Sequence, residues 1–361
     1  MRLATAEINI PALRYNLARV KEIAPSSKIM AVLKANAYGH GLVKIAQCLS
    51  DADAFAVARI DEALALRAGG LTKPIILLEG FFDPSDLPIL LANNFETVVH
   101  DESQLLAIEQ SNLEMPISVW LKVDTGMHRL GIEPEQFDDF YQRLKQCQNV
   151  KPAVNLMTHF PCADDVSNDF TQVQIDLFAS LVSERREALC LANSAGVIGW
   201  PDAHFDWVRS GLMLYGVSPM LDQAGVDHQL KPVMRLKTRV IAIKQVTEGD
   251  RVGYGGRWQC QKATTLAVVA MGYGDGYPRH ARQGTPVVIK GKRYGIVGSV
   301  SMDMISVDVG ENAAHIQVGD EVEMWGPTLP VEEVARCADT IPYELLCNVT
   351  PRVSYEYCNE E

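Results

Sequence analysis

Residues 29–41 read Ile29-Met30-Ala31-Val32-Leu33-Lys34-Ala35-Asn36-Ala37-Tyr38-Gly39-His40-Gly41. Five apolar residues run into a lysine and then into a glycine-bearing turn. An apolar run of this length, bounded by turn residues, reads as a buried strand. A lysine at its end is poorly hydrated and should lose its proton more readily, which suits a base or an imine-forming amine. On spacing alone, a lysine that lays its stem along the strand end and keeps its ammonium in water fits as well.

Seven more short apolar runs lie at residues 54–57, 75–78, 97–99, 117–123, 153–157, 188–192 and 205–208. Helical spacing fills most of the intervals. Leu13, Leu17, Val20 and Ile23 share one face of a helix opened by Pro11, and Leu42, Ile45, Ala46 and Leu49 share another. Ala63, Leu64 and Arg67 follow a helix start at Asp61-Glu62, and Leu105, Leu106 and Ile108 follow Asp101-Glu102-Ser103. Phe137, Phe140, Tyr141 and Leu144 follow Pro134-Glu135, while Phe170, Val173, Leu177, Phe178 and Leu181 form the longest stripe. The link between the last two runs is short and leaves least room for a helix.

Eight strand–helix units match the count of a (β/α)8, TIM-like barrel. An open doubly wound sheet would want a G-x-G-x-x-G turn after its first strand, and none is present. The residues that end the runs decide between the two: Lys34, Arg59, Glu79, His100, Lys122 with Asp124, His159, Asn193 with Ser194, and Arg209. Carboxyl ends of barrel strands carry the loops that build a site. Strand-end solvation explains any one of these polar residues, but less easily all of them.

After about residue 230 the period changes. Ile305-Ser306-Val307-Asp308-Val309 alternates strictly, residues 318–324 alternate around Gly319-Asp320, and Val287-Val288-Ile289 leads into a Lys290-Gly291-Lys292 turn. Residues 264–271 form another strand-like run, and no long helical stretch appears until residues 331–338. The expected fold is therefore α/β. A (β/α)8 barrel over residues 1–230 joins, near Lys231-Pro232, a mainly-β domain over 231–361 built as a small barrel or sandwich.

The chain of 361 residues, 47% apolar and 22% charged, has the size and composition of a two-domain globular enzyme. A formal charge of -12 argues against nucleic acid or an anionic membrane as a partner. Eight cysteines with no C-x-x-C pair and no histidine at metal spacing read as reduced thiols, and no metal site is expected. The opening residues lack an apolar signal core and no run nears the ~18 apolar residues of a membrane span, so a cytoplasmic location is expected.

Further motifs carry the chemistry: Lys122-Val123-Asp124-Thr125-Gly126-Met127-His128-Arg129-Leu130-Gly131, Val252-Gly253-Tyr254-Gly255-Gly256 and Ser301-Met302-Asp303. Tyr254, set among glycines, also reads as a turn tyrosine with a solvated hydroxyl. Together with residues 31–41 and Arg209, these motifs make the chain similar over nearly its whole length to the alanine racemase family. Members are fold-type III enzymes that use pyridoxal 5'-phosphate (PLP).

The resemblance implies that Lys34 holds PLP as an imine. It also implies two bases on opposite faces of the substrate, Lys34 for the D-alanine proton and Tyr254 for the L-alanine proton. A phenol is a poor base at neutral pH, so Tyr254 needs surroundings that favour the phenolate; the family supplies a chain matching Arg209 to His159 to Tyr254. Asp303 is carried over as a further supporting residue. Arg209 would face the pyridine nitrogen, which should then stay unprotonated, giving a weaker electron sink and less stray transamination.

Asn193, Ser194, Gly211 and Leu212 follow the seventh and eighth runs, where barrels commonly cradle a phosphate, and the family match adds Tyr38 and Tyr343. Arg129, with the Met302 amide, would hold the substrate carboxylate. Lys122 matches a lysine that is often carbamylated, with pairing to Asp124 as its plainer role. Tyr254 and Met302 would reach a partner's barrel in a head-to-tail homodimer. Asp164, Tyr273, Arg279 and Ile341 would line an entrance beside Tyr254 and Tyr343. Many members carry arginine two residues before the Ser301 position, where this chain has Ser299.

The implied function is racemisation of alanine, supplying D-alanine for peptidoglycan, with an amino acid racemase of broader scope as the alternative that Ser299 suggests. A barrel-only PLP-binding protein would lack the second domain. A fold-type III decarboxylase would need a catalytic cysteine motif, which Cys347-Asn348-Val349 does not resemble well.

Overall fold

The computed structural model describes residues 3–183, 186–312 and 314–359. By compactness the chain divides into two units. One comprises residues 16–214 with 219–222; the other comprises 1–15, 215–218 and 223–361, against an expected single cut at residue 230.

The strands are β1 (Thr5–Asn9), β2 (Lys28–Val32), β3 (Ala54–Val57), β4 (Ile75–Leu77), β5 (Phe95–Val99), β6 (Ile117–Lys122), β7 (Val150–Met157), β8 (Leu189–Cys190) and β9 (Trp207–Ser210). Strands β2 to β9 pair in parallel and in sequence order, and β9 returns to β2 with Lys28 opposite Trp207 and Ala31 opposite Ser210, closing an eight-stranded barrel. Parallel strands flanked by helices are covered on both faces, so they read as continuous apolar runs rather than alternating ones. All four residues of β3 (Ala-Phe-Ala-Val) and all three of β4 (Ile-Ile-Leu) are buried.

The helix Phe137–Gln146 buries Phe137, Phe140, Tyr141 and Leu144, the stripe read from the sequence. The helix Phe170–Val182 departs from its stripe. Its buried face is Thr171, Gln174, Ile175, Phe178 and Val182, while Phe170 and Val173 are exposed. Two polar residues, Thr171 and Gln174, share the inner face, and apolar spacing alone displaces it by one residue. A short helix, Ser194–Gly199, does fit between the last two barrel strands. The last strand begins later than residue 205 because Phe205 is left-handed, with φ 41°, which places Arg209 inside β9 and not beyond its end.

The second unit adds β10 (Met234–Val246), β11 (Arg251–Val252), β12 (Trp258–Gln259), β13 (Thr264–Val269), β14 (Pro286–Ile289), β15 (Lys292–Val297), β16 (Ile305–Gly310), β17 (Glu321–Trp325) and β18 (Ser354–Cys358). Its main sheet runs β13-β16-β15-β14-β17-β10-β1-β18, and the long β10 also pairs with β13, so the sheet curls back on itself. A register shift between Val240 and Ala242 lets β10 change partners. Alternate residues of β16 and of the first seven residues of β10 point inward, the period-2 pattern of a sheet with one covered face. β1 joins this sheet, antiparallel to β10 and parallel to β18, which is why the first residues belong with this unit.

Candidate active site

At the end of β2 the backbone winds left-handed. Ala35, Asn36, Ala37 and Tyr38 have φ of 53, 56, 54 and 51°, and glycine arrives only at position 39. Each such residue costs an L-amino acid roughly 1–2 kcal/mol, so the turn must be held by its surroundings. Glu62 Oε1 accepts the Ala35 amide at 2.7 Å, and Asn36 Oδ1 accepts the Leu42 amide at 2.9 Å. His40 Nδ1 lies 2.8 Å from the Tyr38 carbonyl and 3.1 Å from that of Ala37. Burial outweighs these carbonyls and brings the His40 pKa down to about 4, so the ring is neutral with its proton on Nδ1. The turn leaves Lys34 half-buried and buries Tyr38. A side chain on Gly211 would approach the Tyr38 hydroxyl to 2.7 Å, so only glycine leaves that space open.

Arg209 is buried and tightly held. Its Nη1 donates to the Cys190 carbonyl at 2.8 Å and to Cys190 Sγ at 3.1 Å; its Nη2 donates to the carbonyls of Thr158 at 2.7 Å and Leu191 at 3.0 Å. Nη2 also lies 3.2 Å from His159 Nδ1. Arginine has donors only, so Nδ1 must accept and the imidazole proton sits on Nε2. The electrostatics agree: burial, then Arg209, Lys122, Arg129 and Lys34, holds the His159 pKa well below its ordinary value.

Those cations also act on one another. Lys122, the last residue of β6, is buried. Burial, then Arg209, Arg129 and Lys34, brings its pKa from 10.5 to about 8, with Asp124 pulling the other way. Asp124 is occupied by its own loop: its oxygens accept the amides of Gly126 at 2.8 Å, His128 at 3.0 Å and Arg129 at 3.2 Å. Burial opposes its ionisation, but the amides prevail and keep its carboxyl below the usual range. Four cations and one fully engaged carboxylate make this rim a trap for anions. Beneath the loop, Thr125 and Thr158 hydroxyls meet at 2.8 Å, and the Gln174 amide reaches Thr125 Oγ1 at 3.0 Å and the His159 carbonyl at 3.3 Å.

Ser194 Oγ accepts the Gly211 amide at 2.8 Å, and Asn193 Oδ1 accepts the Gly196 amide at 2.9 Å while its Nδ2 donates to the Phe160 carbonyl. Leu212 is buried, and Asp164 is half-buried with its carbonyl accepting the Leu221 amide at 3.0 Å. The barrel unit thus gathers Lys34, Lys122, Arg129, His159 and Arg209 into one electrostatic cluster and sets Tyr38, Ser194 and Gly211 together.

The remaining expected residues lie in the β unit. Tyr254 is 72% exposed at the tip of a glycine-rich turn beside β11. Amides of Tyr273 and Gly274 donate to the carbonyls of Ser301 and Met302 at 3.0 and 2.9 Å, which joins the two loops; a side chain on Gly272 would strike both carbonyls at 2.3 Å. Met302, Tyr273, Arg279 and Ile341 are exposed, Tyr343 and Ser299 half-buried. Arg352 clamps this corner, with Nη2 on Asp303 at 2.6 Å and Nε 3.3 Å from Asp275. Arg352, Asp275, Glu62 and Gln174 were not anticipated. Nor were the carbonyls that grip Arg209, which leave no mark in a sequence.

A barrel whose carboxyl rim presents two amines, a neutral imidazole and two guanidinium groups suits an enzyme that handles small anionic substrates or cofactors. The alanine racemase N-terminal domain matches residues 8–219 and the C-terminal domain residues 233–357. The chain is 54% identical over 357 residues to the alanine racemase of Vibrio cholerae, covering 99% of each. It is 51% identical over 358 residues to the biosynthetic alanine racemase of Escherichia coli K12, again covering 99% of each. The crystal structure of the biosynthetic alanine racemase of Pseudomonas aeruginosa superposes with a TM-score of 0.97 at 41% identity, covering 99% of this chain and 100% of that one. The chain belongs to the alanine racemase family and is an isomerase of that kind. Among the described residues no helix is long and apolar enough to cross a membrane.

Proposed function

We propose that the protein interconverts L- and D-alanine with PLP, using Lys34 and Tyr254 as its two bases, and so supplies D-alanine for peptidoglycan in the cytoplasm. The residues present suit this cofactor. Lys34 offers an amine to its aldehyde. The hydroxyls of Tyr38 and Ser194 border the space that Gly211 leaves open, with Asn193, Leu212 and Tyr343 assigned beside them for the phosphate. Arg209 offers a cation with no acceptor to the ring nitrogen. Bound PLP supplies an electron sink for the pair left when an amino acid loses its α-proton.

Lys34 would hold the cofactor through its amine, and its Nζ takes or returns the α-proton of D-alanine. Tyr254 does the same for L-alanine at Oη. One observation carries this pairing: Arg209 Nη2 at 3.2 Å from His159 Nδ1. It commits His159 Nε2–H to donate, and a donor aimed at a tyrosine oxygen favours the phenolate. Tyr254 is exposed on its own unit, so a second copy is assigned to it: a head-to-tail homodimer in which the domain of residues 231–361 completes the partner's site.

Arg129, with the Met302 amide, holds the substrate carboxylate, and Asp303 steadies that loop through Arg352. Lys122, with its pKa near 8, keeps a neutral fraction that can add carbon dioxide; the resulting carbamate would return an anion to the cationic rim. Asp164, Tyr273, Arg279 and Ile341 form the entrance with Tyr254 and Tyr343. A racemase of broader scope is the second reading, favoured by Ser299, a small uncharged residue where many members have arginine.

Purified protein given PLP and L-alanine should form D-alanine and release no carbon dioxide. An inactive protein, or carbon dioxide in its place, refutes racemisation. L-serine turned over as fast as L-alanine selects the broader reading.

A further inference from the structure

We propose that Glu62 is a positioning residue for Lys34 and Tyr38, holding from outside the left-handed turn that carries both. Its consequence for the reaction rests on the function proposed above. Glu62 lies in the first turn of the helix Ile60–Ala68, where a carboxylate ordinarily reaches back to amides at its own helix start. Oε2 does so, accepting the amides of Ala58 at 3.0 Å and Arg59 at 3.3 Å. Oε1 turns to a different element and accepts the amide of Ala35, the residue after Lys34, at 2.7 Å. A single carboxylate thereby fastens the end of β2 to the start of the helix that follows β3.

The bond matters because the turn is strained, and its own backbone bonds, such as Ala37 to Leu33 at 2.7 Å and Gly39 to Ala35 at 3.0 Å, do not use the Ala35 amide that Glu62 holds. Four successive residues other than glycine sit at φ of 51–56°, a conformation that such residues enter singly and not in runs. Asn36 and His40 brace the middle and far end of the turn; Glu62 is the side chain on its first residue. Without it Ala35 can return to negative φ, which re-aims the Lys34 amine on one side and the Tyr38 hydroxyl on the other. Displacing a reacting group by an ångström lowers rates by up to about 10²-fold.

Glycine supplies the test, because it enters positive φ freely. Glu62→Ala should lower kcat/KM for alanine by about 10-fold or more, mostly in kcat, and should move the pH at which the visible absorbance of bound PLP changes. Adding Ala35→Gly should recover much of both effects. Asn94→Gly, at another left-handed position of the same unit with φ 48°, should recover neither. The same coupling is read without cofactor: Ala35→Gly should raise the melting temperature of the Glu62→Ala protein more than that of the parent. Unchanged kinetics in Glu62→Ala, or a loss that Ala35→Gly restores no better than Asn94→Gly, overturns the proposal. A parent protein that does not racemise alanine would sink the proposed function alone, because the cofactor-free melting temperatures still decide the role of Glu62.

Discussion

Lys122 carries a charge that the fold opposes, so replacing it measures the electrostatics of the rim. Burial, then Arg209, Arg129 and Lys34, brings its pKa to about 8, while the unfolded chain restores it to the usual 10.5. Between pH ~8 and ~10.5 the unfolded chain therefore binds more protons than the folded one, and stability rises with pH across that window. Below it the folded protein bears the full penalty, about 3 kcal/mol for a gap of this size. Lys122→Met should thus be more stable than the parent by up to about 3 kcal/mol at pH 7 and should lose that advantage by pH ~10.5. Asp124 is left with three loop amides and tolerates the loss of its neighbour. The assay is urea unfolding of cofactor-free protein in buffers free of phosphate and carbon dioxide, stepped through the window. Added bicarbonate should narrow the difference at pH 8 as carbamate forms. A Met variant that is destabilised at pH 7, or a difference flat in pH, would refute the picture of a cationic trap.

Two further outcomes concern the chemistry. Tyr254→Phe should slow removal of the L-alanine α-proton by about 10²–10⁴-fold, the usual worth of a positioned base, and removal of the D-alanine proton far less; equal losses reject one base per face. Arg209→Gln should raise the amount of transaminated cofactor per racemisation, and an unchanged ratio counts against a role in fidelity. Glutamine is preferred to glutamate because carbonyls of Thr158, Cys190 and Leu191 crowd the site and would repel a carboxylate.

The barrel was legible because its strands are buried on both faces: residues 54–57, read as an apolar run, are β3 to the residue. Family membership was legible from motifs such as the Lys122–Gly131 run. Misreadings arose where polarity or backbone geometry overrode hydrophobic spacing. Gln174 and Thr171 occupy the inner face of their helix, and Phe205 cannot begin a strand at φ 41°. β1 and β18 pair across the length of the chain, Thr5 opposite Ser354, and nothing local announces such a partner. β10 was there to be found, since Met234, Leu236, Thr238 and Val240 alternate inward with charged residues between.

Polar residues at the strand ends were legible by type, and the hydrogen bonds that restrain them were not. Asparagine tolerates a left-handed conformation but alanine and tyrosine do not announce one, and Glu62 looks like any acid at a helix start. The polar strand ends pointed to a cluster, but only geometry shows that His159 must carry its proton on Nε2.

The central claim is that an amine from one chain and a phenol from another serve a single substrate. Mixing Lys34→Ala protein with Tyr254→Ala protein, each inactive alone, and allowing subunits to exchange tests it directly. Each mixed dimer would then contain one intact site and one doubly defective site. Activity should return to about a quarter of the parent's at equal mixing, since half of the dimers are mixed and half of their sites are intact. A mixture that exchanges subunits, shown by a mass or fluorescence tag, yet stays at the level of the separate variants would contradict the account.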